Sequence, residues 1–275
     1  MLWTTIDLRW HVFRQQTWVS RAGDRPLSAI LEFPALHGMP DNDGFHVMNA
    51  HMHWRRWRSL TLYLTKEAQM HTIFDYLSLE TDSDVTVLPN LTSLNLIKQG
   101  SHDVDEDGDV FFFDVTLIRA LFPNLRSLTT YHVYPERILN VMPTLGTLKT
   151  NTIGAHSSVA GTVSRWVDVF KACLRLEDLE ADWNRAGWTL HRPAEMSQSM
   201  DPLDYPPIIV PHLHTLRLRW IDWRVCRHLL YCLHLPALRF LSVEMDLVTF
   251  QNLLGPELVD CTAAFVSHSC CRFWV

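Results

Sequence analysis

Pro211-His212-Leu213-His214-Thr215-Leu216-Arg217-Leu218-Arg219 holds one copy of a phrase, Pro-x-Leu-x-x-Leu. The phrase returns at Pro89/Leu91/Leu94, Pro123/Leu125/Leu128, Pro143/Leu145/Leu148 and Pro236/Leu238/Leu241. Two copies lack the proline: Trp57-Arg-Ser-Leu60-Thr-Leu62, with Trp57 in place of the first leucine, and Leu174-Arg-Leu176-Glu-Asp-Leu179. A last, weak copy is Pro256-Glu-Leu258-Val-Asp-Cys261. Between first leucine-type positions the steps are 34, 34, 20, 31, 37, 25 and 20 residues. A recurring phrase implies a recurring unit that cannot bury its apolar face alone and stacks on its neighbours.

Period and pattern match leucine-rich repeats, which carry a strand and a helix or 3₁₀ turn per unit, and the L-x-x-L-x-L core is intact at Leu91/Leu94/Leu96 and Leu213/Leu216/Leu218. The fold class is therefore α/β: one irregular leucine-rich-repeat-like solenoid over residues 1–275, with parallel strands on the concave face and helices on the convex face. Residues 1–50 form an N-terminal segment, 51–261 the degenerate repeats and 262–275 a tail. Helical stripes precede some copies, with Val163, Trp166, Val167 and Phe170 at one helical spacing and Cys226, Leu229, Leu230 and Leu233 at another. The proline is expected to end the helix and launch the strand.

Period-two alternation sends Leu94 and Leu96 inward and leaves Ser93, Asn95 and Ile97 on the exposed face. In the later copies that face becomes charged: Asp178, Glu180 and Asp182, then Thr215, Arg217 and Arg219, then Phe240, Ser242 and Glu244. Parallel register sets Glu180 beside Arg217 and places Asp182, Arg219 and Glu244 in one row. Such a row serves as a self-neutralising ion ladder or as a docking patch for a protein partner. Of the eleven tryptophans, Trp57 and Trp166 fall at core positions, whereas Trp183, Trp188, Trp220 and Trp223 lie at strand ends and in loops and are the candidates for partner contact.

Composition narrows the function classes. Lys and Arg number 24 against 30 Asp and Glu, a formal charge of -6, with no basic run, so nucleic acid is not an expected partner. No apolar stretch reaches membrane-spanning length, and the first twenty residues are broken by Asp7, Arg9, His11 and Arg14, so no membrane is expected either. Six cysteines without C-x-x-C spacing read as reduced thiols of a cytoplasmic or nuclear protein. The N-x-T sequon at Asn90 falls inside a repeat.

Leu2-Trp3-Thr-Thr-Ile6-Asp-Leu8, then Trp18-Val-Ser-Arg-Ala-Gly-Asp-Arg25-Pro26-Leu27-Ser, then His51-Met-His-Trp-Arg-Arg-Trp57-Arg-Ser-Leu60 resemble a large family of fungal F-box proteins. The resemblance covers about the first 65 residues. It implies a substrate-recognition subunit of a cullin-type ubiquitin ligase, whose repeats hold a protein substrate. The L-W-x-x-I-x-L segment closes the F-box homology in that family, so the helices that grip the ligase adaptor would lie upstream of this chain. Adaptor binding is expected only with such an upstream F-box restored.

A rival chemistry is Asp103-Val-Asp105-Glu-Asp107-Gly108-Asp109, closing at Asp114. Alternate carboxylates with a glycine at the sixth position resemble a calcium loop. Asp114 instead of Glu at the twelfth position and Phe111 at the ninth depart from the pattern, which leaves an acidic solvated loop as the plainer reading. His46, His51 and His53 lack a fourth ligand for zinc, and Cys270/Cys271 fall in the tail. There is no nucleophile elbow, dinucleotide turn or phosphate loop. The expectation is a non-catalytic protein-recognition scaffold without a cofactor, with calcium binding as the alternative.

Overall fold

The computed structural model describes residues 4–8, 10–32, 55–64, 88–98, 122–131, 144–150, 159–182, 207–221 and 223–245. The chain divides into two compact units, Met1–Val133 and Tyr134–Val275. Both are α/β, with parallel pairing throughout the described strands. The first holds β1 (Thr5–Asp7), α1 (Val12–Ala22), β2 (Leu27–Glu32), β3 (Trp57–Leu64), β4 (Ser93–Lys98) and β5 (Ser127–Tyr131). Its five strands lie side by side in chain order. The second holds β6 (Thr147–Thr150), α2 (Val159–Ala172), β7 (Asp178–Asp182), β8 (Ile208–Ile209), β9 (Thr215–Ile221), α3 (Trp223–Cys232), β10 (Leu233–His234) and β11 (Phe240–Met245). There β6, β7, β9 and β11 are neighbours in that order, while β8 and β10 pair as a separate parallel ribbon.

Alternation along each strand produces the core. Leu60, Leu62, Leu94, Leu96 and Leu128 are buried in the first unit, and Leu148, Leu179, Leu216, Leu218 and Leu241 in the second. Each such leucine contributes roughly 1.5–3 kcal/mol relative to an exposed one. The predicted helical stripe Val163, Trp166, Val167, Phe170 is buried on α2. On α3 the stripe is shorter than expected: Cys226 and Leu229 are buried, but the helix ends at Cys232, and Leu233 is buried as the first residue of β10. Trp57 and Trp166 are both core residues.

The proline at 89, 123 and 236 occupies the second position of a four-residue turn. Before Pro211 and Pro236 the described chain is a short strand, β8 or β10, and not the helix expected there. The Leu91 amide donates to the Leu88 carbonyl at 3.2 Å, Leu125 to Phe122 at 3.2 Å, Leu176 to Cys173 at 3.0 Å and Leu238 to Leu235 at 3.2 Å. Proline suits that position because its fixed φ matches the turn. After α3 the short β10 intervenes before Pro236, so helix end and turn are separate events. The turn adds a letter to the phrase, since the residue that opens it is buried wherever it is described: Leu88, Phe122, Cys173, Val210 and Leu235. Burial pushes the Cys173 thiol up to about 12, which leaves it an inert packing group. His212 lies in the turn and His214 in the link before β9, flanking the buried Leu213.

Successive repeats are joined by a recurrent hydrogen-bond pattern. The Thr92 carbonyl accepts from the amides of Arg126 (3.0 Å) and Ser127 (2.9 Å), and the Gly146 carbonyl from Glu177 (2.7 Å) and Asp178 (3.0 Å). The Glu177 carbonyl accepts from His214 (2.7 Å) and Thr215 (3.1 Å), and the His214 carbonyl from Arg239 (2.8 Å) and Phe240 (3.0 Å). Turn asparagines reinforce this in the first unit: Asn90 Nδ2 donates to the Arg55 carbonyl at 2.6 Å, and Asn124 Nδ2 to the Pro89 carbonyl at 2.7 Å. The sequon residue Asn90 thus has a structural partner.

At the start of the chain, α1 is held by Gln15. Its buried amide nitrogen donates to the carbonyls of Leu8 (2.9 Å) and Trp10 (2.7 Å), two acceptors that the turn after β1 leaves unpaired by the sheet. Gly23 follows the helix at φ +56°, where a side chain is disfavoured.

Two substitutions separate packing from turn chemistry. Leu216→Ala is expected to cost about 2–5 kcal/mol in urea denaturation. Pro236→Ala acts mainly through the unfolded chain and is expected to cost no more than about 1 kcal/mol. A larger loss for Pro236→Ala than for Leu216→Ala contradicts this assignment.

Candidate functional site

The outward faces of the two units differ in chemistry. In the first unit the register aligns Ser28, Ser59, Ser93 and Ser127 in one row and Ile30, Thr61, Asn95 and Thr129 in the next. That face is largely uncharged, and Asn95 Nδ2 donates to Thr61 Oγ1 at 3.0 Å.

In the second unit the outward face is ionic. Leu148, Leu179, Ala181, Leu216, Leu218 and Leu241 point to the core, which leaves the alternate residues outside. Glu180 stands opposite Lys149 on one side and Arg217 on the other. Asp182, Arg219 and Glu244 share the next row, as the sequence predicts. Asp178 is exposed between Thr147 and Thr215.

The ion pairs do not follow the rows. Glu180 collects three cations: Lys149 Nζ at 3.3 Å, Arg219 Nη1 at 3.3 Å and Arg217 Nη1 at 3.8 Å. Arg219 reaches Glu180 diagonally and also contacts Glu244, its Nε 3.7 Å from Oε1. Asp182, directly opposite Arg219, forms no ion pair among the described residues. Side-chain length explains the difference, because diagonal neighbours on a sheet lie within reach of long side chains. An aspartate holds its carboxylate close to its own strand, whereas Glu180 extends over the face to meet two guanidinium groups. The Glu180 side chain is 22% exposed against 40% for each arginine, so the cations roof the carboxylate. Arg217 also lies over the Phe240 ring, 5.1 Å from its centroid, which orients the guanidinium between a carboxylate and an aromatic face.

Asp182 has a raised pKa. Burial is the largest cause; Glu244 and Glu180 add to it, and Arg219 opposes. The folded state therefore holds a proton on Asp182 more tightly than the unfolded chain does. Its ionised form weakens folding once the pH rises through that group's folded-state pKa.

Lys149 of β6 also belongs to this site, alongside the charged residues of the later strands and Phe240. The sequence signals it, since Lys149 occupies the same outward position of its phrase as Glu180. Trp220 lies in β9 and Trp223 opens α3, while Trp183 and Trp188 lie outside the described residues. The acidic loop Asp103, Asp105, Asp107, Asp109 and Asp114 also lies outside them, as do His46, His51, His53, Cys270 and Cys271. Among the described residues no group of three or more His, Cys, Asp or Glu is placed to hold a metal ion. Among them, too, no helix is long and apolar enough to cross a membrane.

Glu180→Gln leaves three cations facing one another without their shared carboxylate. It is expected to lower stability by roughly 1 kcal/mol, more than Lys149→Ala, whose exposed pair is worth a few tenths at most. Asp182→Asn is expected to raise the melting temperature slightly at pH 7, with the gain vanishing below the ordinary aspartate pKa. A gain that persists unchanged at low pH contradicts the assignment to Asp182. No protein-family model, curated protein or solved structure matches this chain.

Proposed function

We propose that the chain is a non-catalytic recognition scaffold, an irregular leucine-rich-repeat-like solenoid whose parallel strands line a concave docking face. The resemblance of its first residues to fungal F-box proteins suggests the class: the substrate-holding part of a ubiquitin-ligase subunit working in the cytoplasm or nucleus. The observation that carries the reading is the Glu180-centred network. Three cations and two carboxylates are held on adjacent strands by one another and by the Phe240 ring. The three cations around Glu180, and Glu244 beyond them, each remain 40% or more exposed.

Such a surface is preorganised. Its long side chains have already lost rotamer freedom in the free protein, which lowers the ordering cost of binding. Charged pairs at the rim set orientation and association rate, while Phe240 supplies apolar area. A protein partner with both signs of charge around an apolar residue suits this face.

The test uses a photo-crosslinking amino acid at Ser242, directly opposite Arg217, and a second at Tyr231, an exposed residue of α3. The expected result is protein crosslinks from position 242 that vanish when Arg219→Glu is added, with the melting temperature lowered by only a few degrees. Crosslinks confined to position 231, or unaffected by Arg219→Glu, contradict docking on this face.

A further inference from the structure

The first unit carries a second charged surface that the overall charge of -6 conceals. Arg25, Arg55, Arg58 and Arg126 are exposed, come from three different repeats, and lie at the end of the sheet where the strands begin. The hydrogen bonds fix that placement. The Thr92 amide and Oγ1 donate to the Arg58 carbonyl at 2.9 and 3.1 Å, and the Arg126 amide donates to the Thr92 carbonyl at 3.0 Å. Arg58 thus lies in β3, and Thr92 and Arg126 sit beside it immediately before β4 and β5. At about 4.8 Å per strand, the backbones of the two arginines are roughly 10 Å apart.

Arg55 lies one turn earlier, tied to the next repeat through Asn90. Arg25 joins the group through Arg56, whose Nη2 donates to the carbonyls of Gly23 and Arg25, the latter at 3.0 Å. Arg56 is thereby spent on the backbone. The other four are not: among the described residues none forms an ion pair with a carboxylate, Asp24 included. The contrast with the second unit is direct, where Lys149, Arg217 and Arg219 all engage carboxylates.

We propose that this arginine edge is a docking surface for a short carboxylate-rich peptide segment of a partner protein. Like charges gathered on a folded surface repel one another, and an anionic partner removes that penalty. The guanidinium fork accommodates carboxylates bidentately. In an extended peptide, alternate side chains recur about every 6.6–6.8 Å, so two or three carboxylates span the edge. A nucleic acid fits less well, because a long polyanion runs beyond the edge onto a protein of net negative charge. This surface is separate from the Glu180 network, so the two proposals stand or fall independently.

The experiment is fluorescence anisotropy of a labelled peptide of alternating Glu and Ser with the full chain at low ionic strength. The Arg58→Gln/Arg126→Gln double variant is expected to bind on the order of tenfold more weakly, as removal of two direct charge contacts implies. Arg58→Lys/Arg126→Lys should keep most of the affinity, which separates lost charge from lost folding. Arg217→Gln/Arg219→Gln should leave it unchanged, and a Gln/Ser peptide should not bind. The proposal is overturned by any of three results: no peptide binding to the wild-type chain, equal binding by the Arg58→Gln/Arg126→Gln variant, or tighter binding of a short oligothymidylate than of the peptide.

Discussion

One carbonyl accepting two successive amides from the next repeat is the constraint on which the described structure depends. It recurs at Thr92, Gly146, Glu177 and His214, each time at the point where the turn hands over to the strand. Because side chains alternate along a strand, a slip of one residue at any of these junctions turns the leucines outward and the charges inward. The junction therefore fixes which side of the sheet is core and which carries chemistry. Without it, neither the Glu180 network nor the arginine edge has a defined geometry.

Packing and electrostatics divide the work unevenly. The buried leucines and the apolar residue before each turn supply most of the stability, at a few kcal/mol each. Ion pairs whose members are 22–53% exposed supply tenths. The charged face is thus not what holds the second unit together. It holds long side chains in fixed places over the sheet, the preformed pattern that the proposed docking would use.

The sequence shows the strands, their parallel stacking and the opposition of Glu180 to Arg217, because copies of one phrase stack at one offset. It misleads on Pro236, since a residue that stops a helix and one that sits second in a turn obey the same φ restriction; the strand β10 before it and the amide of Leu238 bonding to Leu235 tell them apart. It also predicts the row of Asp182, Arg219 and Glu244 without predicting that Arg219 turns to Glu180. Register is a backbone property, whereas the choice between directly opposite and diagonal partners is set by side-chain reach. The arginine edge is invisible for another reason. Arg25 and Arg126 are far apart in the chain, and the net negative charge argues against any basic surface until the strands are laid side by side.

Native-state hydrogen exchange at the junctions tests the register most directly. The amides of Asp178, Thr215 and Phe240 should be among the slowest in the second unit and should exchange together, through the same opening that unfolds its sheet. Exchange of these three at the rates of exposed, unbonded amides, while the leucine amides within the strands stay protected, would contradict the account.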